Sequence, residues 1–100
     1  MKPTSRDEIL RVLEENRDAI RRFGVRSLAL FGSASRNETG VGSDMDFLVE
    51  FDQSTFDAYM DLKAFLERLF GRRVDLVTER ALKPRLRDAV LAEAVHAAGL

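Results

Sequence analysis

Asp44-Met45-Asp46-Phe47-Leu48-Val49-Glu50-Phe51 alternates along its length. Met45, Phe47, Val49 and Phe51 fall on one side, with Asp44, Asp46, Leu48 and Glu50 on the other. The pattern predicts a β-strand that buries its odd-numbered residues and carries two carboxylates together at its start. Upstream, Ser27-Leu28-Ala29-Leu30-Phe31 is an apolar run too short for a helix, closed by Gly32, and predicts a second strand. Between them, Gly32 to Ser43 holds Ser, Asn, Thr and three of the six glycines, which is turn chemistry with room for one helical turn from Ser33. An antiparallel pairing of the two strands would bring that turn beside the two acids.

The flanking sequence supplies the layers that cover such a pair. Ser5-Arg6-Asp7-Glu8 has the form of a capping box, and Ile9, Val12, Leu13, Ile20 and Phe23 recur near a 3.6-residue period before Gly24, predicting one helix over 5–23. Ser54 with Asp57 opens a second helix whose Phe56, Tyr59, Leu62, Leu66, Leu69 and Phe70 form an apolar stripe ended by Gly71. Val74-Asp75-Leu76-Val77 reads as a third strand. Leu82, Leu86, Ala89, Val90, Glu93 and Ala94 mark a last helix opened near Pro84. The predicted class is α/β (α+β), a three-stranded mixed sheet with helices packed on it in the order α-β-(short α)-β-α-β-α. A right-handed crossover through the second long helix would set the third strand parallel to and beside the one carrying the acids. No repeat or linker divides the sequence, so residues 1–100 are expected to form one domain.

Composition narrows the function classes. One hundred residues with 45% hydrophobic and 33% charged content suit one modest core. No cysteine is present, which removes disulfides, thiolate zinc sites and cysteine nucleophiles. The net charge of −1 lacks the basic excess needed to grip a long nucleic acid, and no apolar run exceeds five residues. A cytoplasmic protein is expected.

Asp44 and Asp46 alternate back to the same side of one strand, where their charges repel unless a cation lies between them. Few, hard oxygen ligands suit Mg²⁺, which completes its octahedron with waters and phosphate oxygens. Asp75 stands between Val74 and Leu76, where an unsupported carboxylate is costly, and the parallel crossover would turn it toward Asp44 and Asp46. Three acids at one or two metal ions can activate a hydroxyl and neutralise a triphosphate, with Asp75 the one placed to work on the acceptor. Gly32 and Ser33 would hold the phosphates, Gly32 by allowing close backbone approach and Ser33 at a turn rich in free amides. Arg36 could add a charge-assisted contact to the triphosphate.

Phe31-Gly32-Ser33-Ala34-Ser35-Arg36, ten residues between Gly-Ser and the first acid, Ser43-Asp44-Met45-Asp46-Phe47-Leu48-Val49 and the later strand Asp75 together resemble the DNA polymerase β-type nucleotidyltransferase superfamily. More narrowly they resemble its minimal nucleotidyltransferase (MNT) domains, in length, element order and the Leu82-Lys83-Pro84-Arg85-Leu86 approach to the final helix. The resemblance implies a nucleotidyltransferase fold and Mg²⁺-dependent transfer of AMP from ATP to a hydroxyl. Asp44, Asp46 and Asp75 would be the catalytic and metal-binding residues, and Gly32, Ser33, Arg36 and Ser43 would contact the nucleotide. It further implies an antitoxin role beside a HEPN-type RNase toxin, with a tyrosine of that toxin as acceptor and docking through exposed apolar surface such as the last helix. Asn37 stands where the family often has Gly.

Two alternatives stay open: a module that neutralises its partner only by covering it, and a transferase acting on a small molecule or an RNA end. Near-neutral charge disfavours RNA, and the short chain leaves no second substrate domain. His96, the lone histidine, is read as part of the last helix with no role, and Tyr59 as core packing. Asn37-Glu38-Thr39 matches a glycosylation sequon by coincidence, and no Walker A or EF-hand pattern occurs. Arg80, Lys83, Arg85 and Arg87 are read as a solvated face that could meet an acidic partner or the nucleotide.

Overall fold

The alternation that defines the central strand also orders the sheet around it. The computed structural model describes residues 5–32, 45–53, 55–97 and 99–100. Two strands, β1 (Val25–Phe31) and β2 (Met45–Phe51), pair antiparallel from Val25↔Phe51 to Phe31↔Asp46, with an irregularity between Val25 and Ser27. The helix α3 (Phe56–Phe70) then returns the chain to β3 (Val74–Thr78), which runs parallel to β2 in the register Asp46↔Asp75 and Leu48↔Val77. A parallel neighbour requires a crossover of this kind, and α3 supplies it.

Met45, Phe47, Val49 and Phe51 are all buried, as are Leu28 and Leu30 of β1 and Val74 and Leu76 of β3. They pack against Leu62, Leu66 and Phe70 of α3, Ile9 and Leu13 of α1 (Arg6–Glu15) and Ile20 of α2 (Arg17–Arg21). The Phe47 ring stacks on Phe70 with centroids 5.8 Å apart, which identifies this as the helix-covered face of the sheet. Each such side chain contributes about 1.5–3 kcal/mol through burial, enough together to hold the strand register. Among the described residues, no helix is long and apolar enough to cross a membrane.

Several boundaries differ from those the sequence predicts. The expected helix over 5–23 is two helices, because Asn16 leaves helical geometry (φ −106°, ψ 15°) and its side-chain amide donates to the Val12 carbonyl at 2.8 Å. Ser5 caps its start as predicted, its hydroxyl accepting from the Glu8 amide, while the Glu8 carboxylate accepts from that hydroxyl rather than completing the reciprocal box. The cap of α3 is Thr55, whose hydroxyl accepts from the Ala58 amide, rather than Ser54, which lies outside the described residues. Gly71 closes α3 with φ +63°, as its left-handed preference predicts.

The largest departure is at the C-terminal end. The last helix, α4 (Pro84–Glu93), stops before Ala94, and Val95–His96 form β4, antiparallel to β1 through Ala29↔His96 and Leu30↔Val95. The sheet therefore has four strands in the order β3-β2-β1-β4 instead of three, and His96 belongs to a strand instead of a helix. A two-residue strand carries too little periodicity to be read against the helix it follows. A 3-10 turn, Glu79–Ala81, joins β3 to the approach of α4.

Candidate active site

Two of the three predicted acids meet in the structure. Asp46 and Asp75 are register partners on adjacent parallel strands, so their side chains leave the same face, from backbones about 4.8 Å apart. That face is opposite the one covered by α3. Asp75 differs from expectation in one respect: it is exposed, while Val74 and Leu76 on either side point into the core. Strand alternation, rather than a buried counter-ion, accommodates its charge.

Gly32 completes the described part of the site. It follows Phe31, whose register partner is Asp46, and adopts φ +73°. A Cβ built on Gly32 would sit 2.3 Å from Asp46 Oδ2, so only a residue without a side chain lets the backbone pass this close to the carboxylate. Ser33, Arg36, Ser43 and Asp44 lie outside the described residues, as does the helical turn expected from Ser33. Among the described residues no group of three or more His, Cys, Asp or Glu side chains could hold a metal ion. Asp46 and Asp75, hard oxygen donors on neighbouring strands, are the described residues that could contribute to a divalent-cation site.

At the other end of the same strands lies a cavity of about 340 Å³ lined by Arg26, Glu50, Asp52, Glu79 and Arg87 among others. Neither Asp46 nor Asp75 reaches it. The Glu79 carboxyl is pushed above its ordinary value by a hydrogen bond to Glu50 and by partial burial, while Glu50 is held below its own by that bond and by Arg26. Arg26 bridges Glu50 at 3.2 Å and Asp52 at 3.1 Å, and Arg87 of α4 approaches Glu79 at 4.0 Å. Arg87 therefore faces this acidic pair instead of being only a solvated helix residue.

The nucleotidyltransferase domain family matches residues 9–96. The chain belongs to that family. It is a nucleotidyltransferase, 39% identical over 92 residues to the protein adenylyltransferase MntA of Thermococcus cleftensis, a match covering 90% of this chain and 93% of that one. A solved structure named for a minimal nucleotidyltransferase is 43% identical and superposes with a TM-score of 0.74, over 86% of this chain and 93% of the other. The fold is shared as well by a chain in a solved complex of a tri-AMPylated Shewanella oneidensis HEPN toxin with an MNT antitoxin. That chain is 22% identical with a TM-score of 0.64, over 91% of this nucleotidyltransferase and 73% of its own length.

Sequence reasoning missed the Glu50–Glu79 pair. Glu50 lies on the same face of β2 as Asp46, and Glu79 follows β3 directly at the start of the 3-10 turn, so the spacing 46/50 and 75/79 was the available signal once the strands are parallel. It also missed that the Tyr59 hydroxyl, read only as part of a packing side chain, donates to the Leu76 carbonyl at 2.6 Å.

Two outcomes follow for the nucleotidyltransferase. Gly32→Ala places a side chain at a left-handed φ and against Asp46 Oδ2, so stability should fall by about 1–2 kcal/mol. Nucleotidyl transfer measured where the variant is fully folded should still drop about 10²-fold as the carboxylate is displaced. Full activity in the folded variant would separate Gly32 from the orientation of Asp46. The second outcome concerns pH. A carboxyl raised in the folded state binds more protons than the unfolded chain above the ordinary value of 4.5, so the stability Glu79 contributes is present below 4.5 and is lost as pH rises through its folded pKa. Denaturant midpoints of Glu79→Gln should consequently decline less than wild type as pH rises from 4.5, and parallel curves would mean the contact with Glu50 does not raise Glu79 in the folded protein.

Proposed function

We propose that the protein transfers AMP from ATP to a hydroxyl, a tyrosine, of a HEPN-type RNase toxin, and thereby acts as that toxin's antitoxin. The observation that carries this reading is the Asp46↔Asp75 register beside the close approach of Gly32 to Asp46. Hard carboxylates and a side-chain-free backbone at one sheet end are what a metal-bound triphosphate needs. Asp46 and Asp75, with Asp44, would hold Mg²⁺, which when bound withdraws charge from the triphosphate and lowers the pKa of the acceptor hydroxyl. Gly32 leaves room for phosphate oxygens next to Asp46, with Ser33, Arg36 and Ser43 as further nucleotide contacts.

Asp75 is the acid for the acceptor side. It is exposed on the outermost strand, where a hydroxyl on another protein can reach it, while Asp46 lies deeper between β1 and β3. Asp75 takes the hydroxyl proton as the oxygen attacks the α-phosphorus, a new P–O bond forms, and pyrophosphate departs with the electron pair of the bond that breaks. A protein acceptor is supported by the surface. No residue of α4 is buried, and Leu86 and Leu91 on it are 49% and 38% exposed. A helix with no buried residue that carries exposed leucines offers apolar surface for a protein partner to cover. The HEPN identity of the partner rests on the likeness in fold to the MNT chain of the toxin complex.

The test is transfer of label from ATP to the toxin encoded beside this chain, with Mg²⁺ present. Wild type should label the toxin, and Asp46→Asn and Asp75→Asn should each lower the rate by about 10²–10⁴-fold without unfolding the protein. Toxin neutralisation in cells should fail with the label. Neutralisation by both Asn variants without any transfer would establish the non-catalytic, covering mode instead.

A further inference from the structure

Asp75 sits on a strand that is paired on one side only. In the order β3-β2-β1-β4, β3 is the edge, and a carboxylate on an edge strand is held by half the usual ladder. The Met45 amide donates to the Arg73 carbonyl at 3.0 Å, which fixes the direction of the alternating backbone groups. Arg73, Asp75 and Val77 turn their amides and carbonyls toward β2, while Val74 and Leu76 turn theirs to the open side.

Those two outward residues are the ones that α3 engages. Glu67 Oε2 accepts from the Val74 amide at 3.1 Å, and the Tyr59 hydroxyl donates to the Leu76 carbonyl at 2.6 Å. The two helical side chains are eight residues apart, so they reach the strand at separate points on either side of Asp75. They supply, from a helix, the bonds that a further strand would have made.

We propose that Tyr59 and Glu67 are positioning residues for Asp75, bracketing it on the open edge of β3 and fixing where its carboxylate stands against Asp46. The proposal rests on the transferase reading, in which the separation of these two carboxylates matters. The core does not need either polar atom. Tyr59 is half-buried against the core, and a phenylalanine keeps that packing while losing the bond. What the bonds add is resistance of β3 to sliding or twisting at the edge, and a displacement of about 1 Å at a reacting group costs about 10²-fold in rate.

Tyr59→Phe and Glu67→Met each remove one bond with most of the side-chain volume kept, whereas Glu67→Gln retains an oxygen that can accept from Val74. Hydrogen exchange of the Asp75 and Val77 amides, which face β2, should accelerate about tenfold in Tyr59→Phe and Glu67→Met, with β1 amides unchanged. In transfer assays those two variants should lose about tenfold in kcat with the KM for ATP held, and Glu67→Gln should behave as wild type in both measurements. Unchanged exchange in Tyr59→Phe and Glu67→Met overturns the proposal whatever the activity. Faster exchange with unchanged kcat overturns it as well, since β3 would then be anchored for stability alone. A wild type that transfers nothing would refute the enzymatic reading, and the exchange measurement would still decide whether the two bonds hold the strand.

Discussion

The parallel register between β2 and β3 is the constraint on which the rest of the structure depends. With Asp46 opposite Asp75, two carboxylates leave one face of the sheet side by side, and Phe47, Val74 and Leu76 point into the core on the other. A slip of one residue would turn Asp75 into the core and bring Val74 and Leu76 out to water. The penalty on both sides is several kcal/mol, from burying a charge and exposing two apolar side chains. Packing against α3 thus fixes which face of the sheet Asp46 and Asp75 occupy.

That arrangement has a cost in stability at this end of the sheet. Two carboxylates borne on neighbouring strands repel, and Gly32 sacrifices backbone entropy to let the chain pass Asp46. The opposite end of the same strands handles a similar juxtaposition differently. Glu50 and Glu79 share a hydrogen bond, with Arg26 beside Glu50 and Arg87 beside Glu79 as counter-charges from the protein itself.

Most of this was legible in the sequence because it follows from periods of two and 3.6. The alternation of residues 44–51 gave β2 and its faces, the glycines at 24 and 71 marked helix ends, and the length of the second long helix implied a crossover and hence a parallel β3. What escaped depends on single side chains competing for backbone groups, as Asn16 does with Val12, or on strands too short to show a period, as with Val95–His96. The exposure of Asp75 was missed for a related reason. Its apolar neighbours suggested burial, but a residue between two core positions on a strand faces the other way. Ser33, Arg36, Ser43 and Asp44 were chosen from spacing and resemblance, and of the site they share only Gly32, Asp46 and Asp75 are described.

The most direct test of the central claim is thermal unfolding of wild type and Asp75→Asn, each with and without Mg²⁺. If Asp46 and Asp75 are juxtaposed for a shared cation, the metal-free Asp75→Asn protein melts above wild type because the repulsion is gone, and Mg²⁺ raises the melting temperature of wild type far more than that of the variant. Equal melting temperatures without metal, together with equal shifts on adding Mg²⁺, would contradict it.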